Sequence, residues 1–400
     1  MFKQPHAPKI ILTVVPLMFA HQLYAADQII LGVVLTDMMK DIDLSIFLGG
    51  AIVTLFGVGV LIGSMLAGWI AQEKGFKFSA SVGILIFSLF TFLTGFSSSA
   101  WDISLYRVCM GIGQGVWNVA YYSIIGTLFV EKRGFLTAIA GNMYILGLLW
   151  AYPFATLIRI WSGSWRLPLN IFGLLGFLTL IIILLTLKPD TRALVKSNVD
   201  VKDESLLSIL RNRNVLLGCL MGVFQSLTFF SVTSFYPTYL TSAIHFDPLL
   251  SSILMSIQTW SIFMVTPIIL LLSDRYGRKP FLCLMGLSLA SITYFMFNLN
   301  LIEANFTSAA IASIIYGVAG SGGFPLILAF VQDSVTRAEI ASATSLFTVA
   351  YYVGTIATGP ITGYITYSLG WTATGLWLTF CCLMFFLLAI MTKRARLNTH

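Results

Sequence analysis

The sequence predicts an all-α membrane protein, with twelve transmembrane helices in two pseudo-symmetric six-helix bundles. Three observations predict it. Hydrophobic residues fill 58% of the 400 positions and charged residues only 10%, where a soluble domain carries about 25% charge. Apolar runs of the roughly 20 residues needed to cross a bilayer recur along almost the whole chain. Features of the first half also return at a nearly fixed offset in the second.

Hydrophobic runs and their punctuation place the spans, in order, at 10–36, 45–71, 79–97, 101–129, 135–158 and 166–187, then at 215–243, 249–273, 281–300, 306–332, 338–368 and 371–392. Met1–Lys9 is basic. The run after it is too long for the apolar core of a cleaved leader and no small-residue cleavage site follows, so it reads as a retained first span. The one long polar stretch, 188–214, mixes Lys188, Arg192, Lys196, Lys202, Arg211 and Arg213 with Asp190, Asp200, Asp203 and Glu204, the pattern of a solvated linker. The expected organisation is an N-terminal bundle over 1–187, a cytoplasmic linker over 188–214 and a C-terminal bundle over 215–400.

Charge is distributed by side. All but four of the 23 Lys and Arg fall at the N-terminus, in the loops after the second, fourth, eighth and tenth spans, in the linker or at the C-terminus. The opposite side holds Lys40, Arg159 and Arg166, and Arg107 lies inside a span. Basic loops stay on the cytoplasmic side, so both termini are expected there and an even number of crossings follows. The net charge of +7 belongs to this asymmetry and gives no reason to expect nucleic acid. Cys109, Cys219, Cys283, Cys381 and Cys382 sit in apolar runs without metal-ligand spacing, so neither a metal nor a cofactor is expected.

The offset appears in particular residues. Gly75 and Gly277 are 202 positions apart, as are Glu131 and Asp333. The fifth and eleventh spans each carry a Gly six residues before a Pro, as Gly147 with Pro153 and Gly354 with Pro360. Two halves on one plan, with a site near mid-membrane, are a recurring transporter layout.

Between the eighth and ninth spans stands Asp274-Arg275-Tyr276-Gly277-Arg278-Lys279. A glycine allows the tight turn, and a carboxylate can pair with the guanidiniums and helix ends around it. Such a cluster can latch two helices in one state and release them in another. The fourth span opens Arg107-Val108-Cys109-Met110-Gly111-Ile112-Gly113-Gln114-Gly115. With the six-plus-six layout, these motifs resemble those of the major facilitator superfamily, D-R-x-G-R-K and R-x-x-x-G-x-G-x-G, and the resemblance runs over essentially the whole chain. It implies alternating access by rocking of two bundles around a cavity lined by helices 1, 4, 7 and 10. It also implies a latch of Asp274, Arg275, Gly277 and Arg278, with Gly75 its counterpart. The first-half loop departs from the pattern: Gly68, Ala71, Lys74, Gly75 and Lys77 hold the frame, while Gln72 and Glu73 stand in place of the family's Asp and Arg. Tyr152 replaces the Gly of the antiporter Gly-Pro signature before Pro153, which weighs against an exporter.

Asp27 is the one acidic residue and Arg107 the one basic residue well inside a span. Charge at membrane depth is costly and points to function with a partner. At 1.5 Å per residue, Asp27 lies roughly 13 Å and Arg107 roughly 9 Å below the same face. Two readings fit: a pair that shares a proton or solute, or a static ion pair that fixes packing. His21, six residues from Asp27, points roughly 120° away. It suits a proton relay or a hydrogen-bonded packing role against another helix.

Arg107, Gly111, Gln114, Asn118 and Tyr121 share one face of the fourth span. Polar groups in lipid turn inward, so a solute cavity is expected from Tyr24, Gln114, Trp117, Asn118, Tyr121, Asn142, Gln225, Tyr236 and Gln258, with interhelical hydrogen bonding as the other use of the same residues. Helix 10, with Gly317, Gly320, Gly322, Gly323 and Pro325, reads as a hinge.

No nucleotide-binding or nucleophile motif appears, so enzyme activity is not expected and a gradient would drive transport. The expected protein is a monomeric, proton-coupled symporter of a small organic solute, anionic or zwitterionic, in the inner membrane. A proton-driven exporter of a drug or metabolite is the alternative. A membrane sensor is a third class, without a signalling domain to support it.

Overall fold

The computed structural model describes residues 7–128, 133–187, 209–299, 304–336 and 339–393. Most of the linker expected over 188–214 lies outside them, as do Lys3, Glu131, Lys132, Arg337, Arg394, Arg396 and the side chains of Lys9, Gln72 and Arg133. The described elements are α1 (Ala7–Val33), α2 (Leu35–Ile42), α3 (Ile46–Thr54), α4 (Phe56–Lys74), α5 (Phe76–Thr94), α6 (Ala100–Leu128), α7 (Arg133–Ser162), α8 (Arg166–Thr186), α9 (Arg213–Ser242), α10 (Pro248–Tyr276), α11 (Arg278–Met296), α12 (Phe306–Ala319), α13 (Gly323–Gln332) and α14 (Ile340–Met391).

Ten stretches among the described residues are long and apolar enough to cross a membrane. One of them, in α14, is two spans joined at Gly370, whose φ of 82° breaks the helix; the sequence places its boundary at 368–371. The 29-residue α6 completes the twelve. The second span, continuous over Ile46–Ala71, carries a one-residue irregularity at which the backbone keeps helical angles (Leu55 φ −59°, ψ −25°). Just before it, the Thr54 hydroxyl donates back to the Ala51 carbonyl at 3.2 Å. The tenth span breaks at Gly320–Gly322, where Gly322 takes a φ of 78°.

The chain forms two compact units. One comprises Met1–Ile42 with Leu55–Asn198, the other Asp43–Thr54 with Val199–His400. One apolar run is therefore divided between them at Leu55.

In the first unit the helices meet through glycines. A methyl group on Gly59 would fall on the Val108 carbonyl, on Gly63 on the Ile112 carbonyl, on Gly111 on the Phe56 carbonyl and on Gly115 on the Val60 carbonyl. Lipid supplies no hydrophobic drive between helices, so small residues that let backbones touch take its place. Gly83 and Gly113 bring α5 against α6, and Gly147 brings α7 against the Gln22 backbone of α1. Opposite the basic loops, Arg159 pairs with Asp37 at 2.7 Å and Arg166 with Asp41 at 2.6 Å, tying α2 to α7 and α8.

The second unit repeats the plan. Gly354 lies on the Val223 backbone of α9, as its counterpart Gly147 lies on α1. The short α3 packs on α14, where Gly359 meets the Gly50 carbonyl and Thr54 Oγ1 donates to the Ile356 carbonyl at 3.4 Å. Gly75 (φ 86°) and Gly277 (φ 89°) turn α4 into α5 and α10 into α11. Both lie in the left-handed region that favours glycine, which explains their equivalent places in the repeat.

Candidate functional site

In the first unit, α1, α5, α6 and α7 bring the two buried charges into one neighbourhood. Asp27 is 3% exposed and Arg107 2%. The Arg107 guanidinium donates through Nη1 to the main-chain carbonyl of Asp27 at 3.0 Å and through Nη2 to that of Gln28 at 3.2 Å. It also lies 5.1 Å from the centroid of the Phe56 ring, a distance at which a ring face attracts a cation. The Asp27 carboxylate accepts from Thr91 Oγ1 on α5 at 2.9 Å and interacts electrostatically with Arg107. The arginine is therefore fixed by helix 1 itself, and the carboxylate is held from a third helix.

A chain of amide contacts runs beside this pair. The Tyr144 hydroxyl donates to Gln28 Oε1 at 2.7 Å. Gln28 Nε2 donates to Gln114 Oε1 at 3.1 Å, and Gln114 Nε2 donates to the Tyr24 carbonyl at 3.4 Å. The chain links α7, α1 and α6 and keeps Gln114 fully buried.

His21 does not join Asp27. Its ring stacks on Tyr24 (5.0 Å) and on Tyr121 (4.0 Å), and its Nε2 faces the Tyr122 hydroxyl at 3.5 Å. Trp117 is buried beside Tyr121, with ring centroids 5.3 Å apart. Asn118 and Asn142 are half-buried.

In the second unit Gln225 on α9 lies against Gly323 at the start of α13. Tyr236, fully buried, stacks on Tyr239 and faces Ser313 of α12. Gln258 on α10 is buried where Gly317 meets its backbone.

The loop cluster centres on Arg278. Its Nη1 pairs with Asp274 at 2.5 Å and donates to Ser273 Oγ at 2.7 Å, while its Nε pairs with Asp333 at 3.1 Å. Arg275 is exposed. Asp333, which the sequence marks only as the repeat partner of Glu131, is thus the second acid on the arginine. Sequence reasoning also passes over Thr91 and Gln28. Gln28 carried the signal that could have found it, an amide next to a membrane-depth acid.

The sequence profile of the Major Facilitator Superfamily matches residues 17–247 and 218–399. The chain belongs to the Major Facilitator Superfamily. Among curated members of the superfamily, the arabinose-proton symporter of Escherichia coli K12 is 24% identical over 264 residues, which cover 57% of this chain and 56% of the symporter. Protein spinster of Drosophila melanogaster is 24% identical over 212 residues, 52% of this chain and 35% of that protein. The chain thus spans about half the length, or less, of these relatives. Solved superfamily structures share the fold over nearly the whole chain. The D-xylose-proton symporter has a TM-score of 0.80 at 15% identity, covering 98% of this chain and 100% of that one. The nucleoside transporter NupG has a TM-score of 0.78 at 16% identity, covering 97% and 100%. The chain is a multi-pass membrane protein of this superfamily.

Proposed function

We propose that the chain is a proton-coupled symporter of a small organic solute, anionic or zwitterionic, working by alternating access in the inner membrane with both termini in the cytoplasm. The observation that carries the reading is the Asp27–Arg107 neighbourhood, with the carboxylate on Thr91 and the guanidinium fixed on the Asp27 and Gln28 carbonyls. With Asp27 ionised, the two opposite charges offset each other. When Asp27 takes a proton, the neighbourhood keeps the positive charge of Arg107, held on the Asp27 and Gln28 carbonyls, in a low-dielectric interior that strengthens its attraction for an anion. A negatively charged solute restores neutrality, so proton and anion bind best together, which is the thermodynamic requirement for symport. His21, Tyr24, Tyr121, Asn118 and Asn142 supply ring faces and hydrogen-bonding groups beside this centre, and Gln225, Tyr236 and Gln258 do so in the second unit. The basic loops support cytoplasmic termini.

A second reading follows from the relatives. The arabinose-proton and galactose-proton symporters favour a neutral sugar. Proteoliposomes loaded with a pH-sensitive dye separate the two. Addition of a small carboxylate is expected to drive proton entry with the wild type and not with Asp27→Asn. Proton entry driven by arabinose or galactose instead would replace the anionic reading. Undiminished coupling in Asp27→Asn would remove Asp27 as the proton site, and acid-driven extrusion in place of uptake would favour the exporter.

A further inference from the structure

Two asparagines tie the helix ends of the second unit into one basic corner. Asn212 caps α9, its Oδ1 accepting from the Asn214 N–H at 3.0 Å, while its Nδ2 donates to the Ser334 carbonyl at 2.8 Å. The Asn214 amide grips the main chain of Lys393 from both sides. Its Nδ2 donates to the Lys393 carbonyl at 3.2 Å, and its Oδ1 accepts from the Lys393 N–H at 3.0 Å. Lys279 Nζ donates to the Ile390 and Thr392 carbonyls just before Lys393, each at 2.6 Å. The starts of α9 and α11 and the end of α14 are thus fixed at one point. Arg213, next to Asn214 in the chain, and Lys393 stand at the two ends of the amide tie.

The cations at this corner have no carboxylate. Arg211, Arg213 and Lys393 are exposed, and none forms an ion pair among the described residues. On the opposite face Arg159 and Arg166 each hold an aspartate. The retention of basic loops on one side accounts for the sign of the corner but not for its fixing, since a loose loop carries that signal equally well.

Two exposed apolar stripes run up to the same cations. Arg213, Leu216 and Leu220 share a face of α9, and Leu216 is 45% and Leu220 39% exposed. That face is turned roughly 140–180° away from the buried Gln225. On α14, Leu387, Ile390 and Met391 follow spacings of three and four and are each about half exposed.

We propose that the corner is a headgroup site for an anionic phospholipid of the leaflet that meets the basic loops. The lipid phosphate sits between Arg213 and Lys393, which donate charge-assisted hydrogen bonds to it, and Arg211 adds a third positive charge. The acyl chains lie along Leu216 and Leu220 on one side and Leu387, Ile390 and Met391 on the other. Basic pockets between spanning helices recognise such headgroups. The asparagine tie holds the two backbones in place beforehand, which lowers the ordering cost of binding. The site involves neither the solute nor Asp27, so it stands or falls apart from the carrier reading.

The test is thermal unfolding of the full chain in a neutral detergent titrated with phosphatidylglycerol or phosphatidylcholine, with retained lipid counted by native mass spectrometry. Phosphatidylglycerol is expected to raise the unfolding midpoint saturably, and phosphatidylcholine to leave it in place. Arg213→Gln combined with Lys393→Gln should weaken the phosphatidylglycerol response roughly tenfold or more. Asn214→Ala keeps every charge, loosens the tie and should weaken the response as well. Lys40→Gln combined with Lys74→Gln removes the same charge from exposed positions elsewhere and should preserve it. If a corner variant lowers the lipid-free midpoint, the count of retained lipid decides. Equal loss in the Lys40 and Lys74 control, or equal stabilisation by phosphatidylcholine, overturns the site. So does phosphatidylglycerol binding that the corner variants leave unchanged. A response to glycerol phosphate as large as that to the lipid overturns it in favour of a free anion. A response that appears only when Asp200→Asn, Asp203→Asn and Glu204→Gln are introduced overturns it in favour of the linker.

Discussion

Lys77 and Lys279 stand 202 positions apart and serve the same contact in the two units. Lys77 Nζ donates to the Leu184 carbonyl near the end of α8 at 2.7 Å, and Lys279 Nζ donates to the Ile390 and Thr392 carbonyls at the end of α14, each at 2.6 Å. Each lysine opens the third span of its half and meets the negative end of the sixth, whose last carbonyls lack helical partners. Conversion of Lys279 to Met is expected to cost about 1 kcal/mol and Lys77 to Met less, since a cation at a helix C-terminus is worth about 0.3–1 kcal/mol. Thermal unfolding in detergent checks the order; equal midpoints for both variants and the wild type would contradict it.

The glycine contacts allow a test with its own control. On α4, a methyl group at Gly63 would fall on the Ile112 carbonyl, whereas at Gly68 it would meet nothing within 4 Å. Gly63→Ala is expected to destabilise by about 1–3 kcal/mol, the cost of overpacking. Gly68→Ala should be neutral or slightly stabilising, because alanine favours the helix. Unfolding midpoints of the pair measure the difference on one helix.

Asp41 gives a pH dependence with a defined sign. The Trp165 indole N–H donates to its Oδ2 at 3.1 Å; this bond and the Arg166 contact hold its carboxyl below the ordinary carboxylate range. A depressed folded-state pKa adds stability above the unfolded value, near 3.9, and loses it as pH falls through the folded value. The gap in unfolding midpoint between the wild type and Asp41→Asn should be constant from about pH 5 to 8 and should close below about pH 4. A gap that opens only on acidification would refute the assignment.

Thr91 is a positioning residue for Asp27. A hydroxyl donating to a carboxylate favours its ionised form. Thr91→Val is therefore expected to alter the pH–rate profile of proton-coupled uptake. Thr91→Ser should restore the profile, which a purely steric role for the threonine methyl would not predict. The pH–rate profile of uptake in proteoliposomes is the measurement.

Much of this architecture is legible in the residues. Apolar runs give the twelve spans because lipid forces every spanning helix to declare itself by length. The end of the eleventh span is legible at Gly370, since glycine breaks helical runs. The division at Leu55 is not, because the run on either side of it is uniformly apolar. The nearness of Asp27 and Arg107 follows from depth alone. The partners of Arg107 do not, since main-chain carbonyls leave no mark on residue type. Arg278 and Asp274 are readable from the loop motif, whereas Asp333 needs the fold to bring the end of α13 beside that loop.

The place of Asp43–Thr54 has a consequence for dissecting the protein. Severing the chain within 188–208 leaves each fragment with a mismatch: the first carries α3 and its Gly50 surface without α14, and the second exposes the Gly359 face that α3 covers. Complementary halves expressed together are better cut so that a second copy of 43–54 is joined to the C-terminal fragment, which then carries that helix in cis.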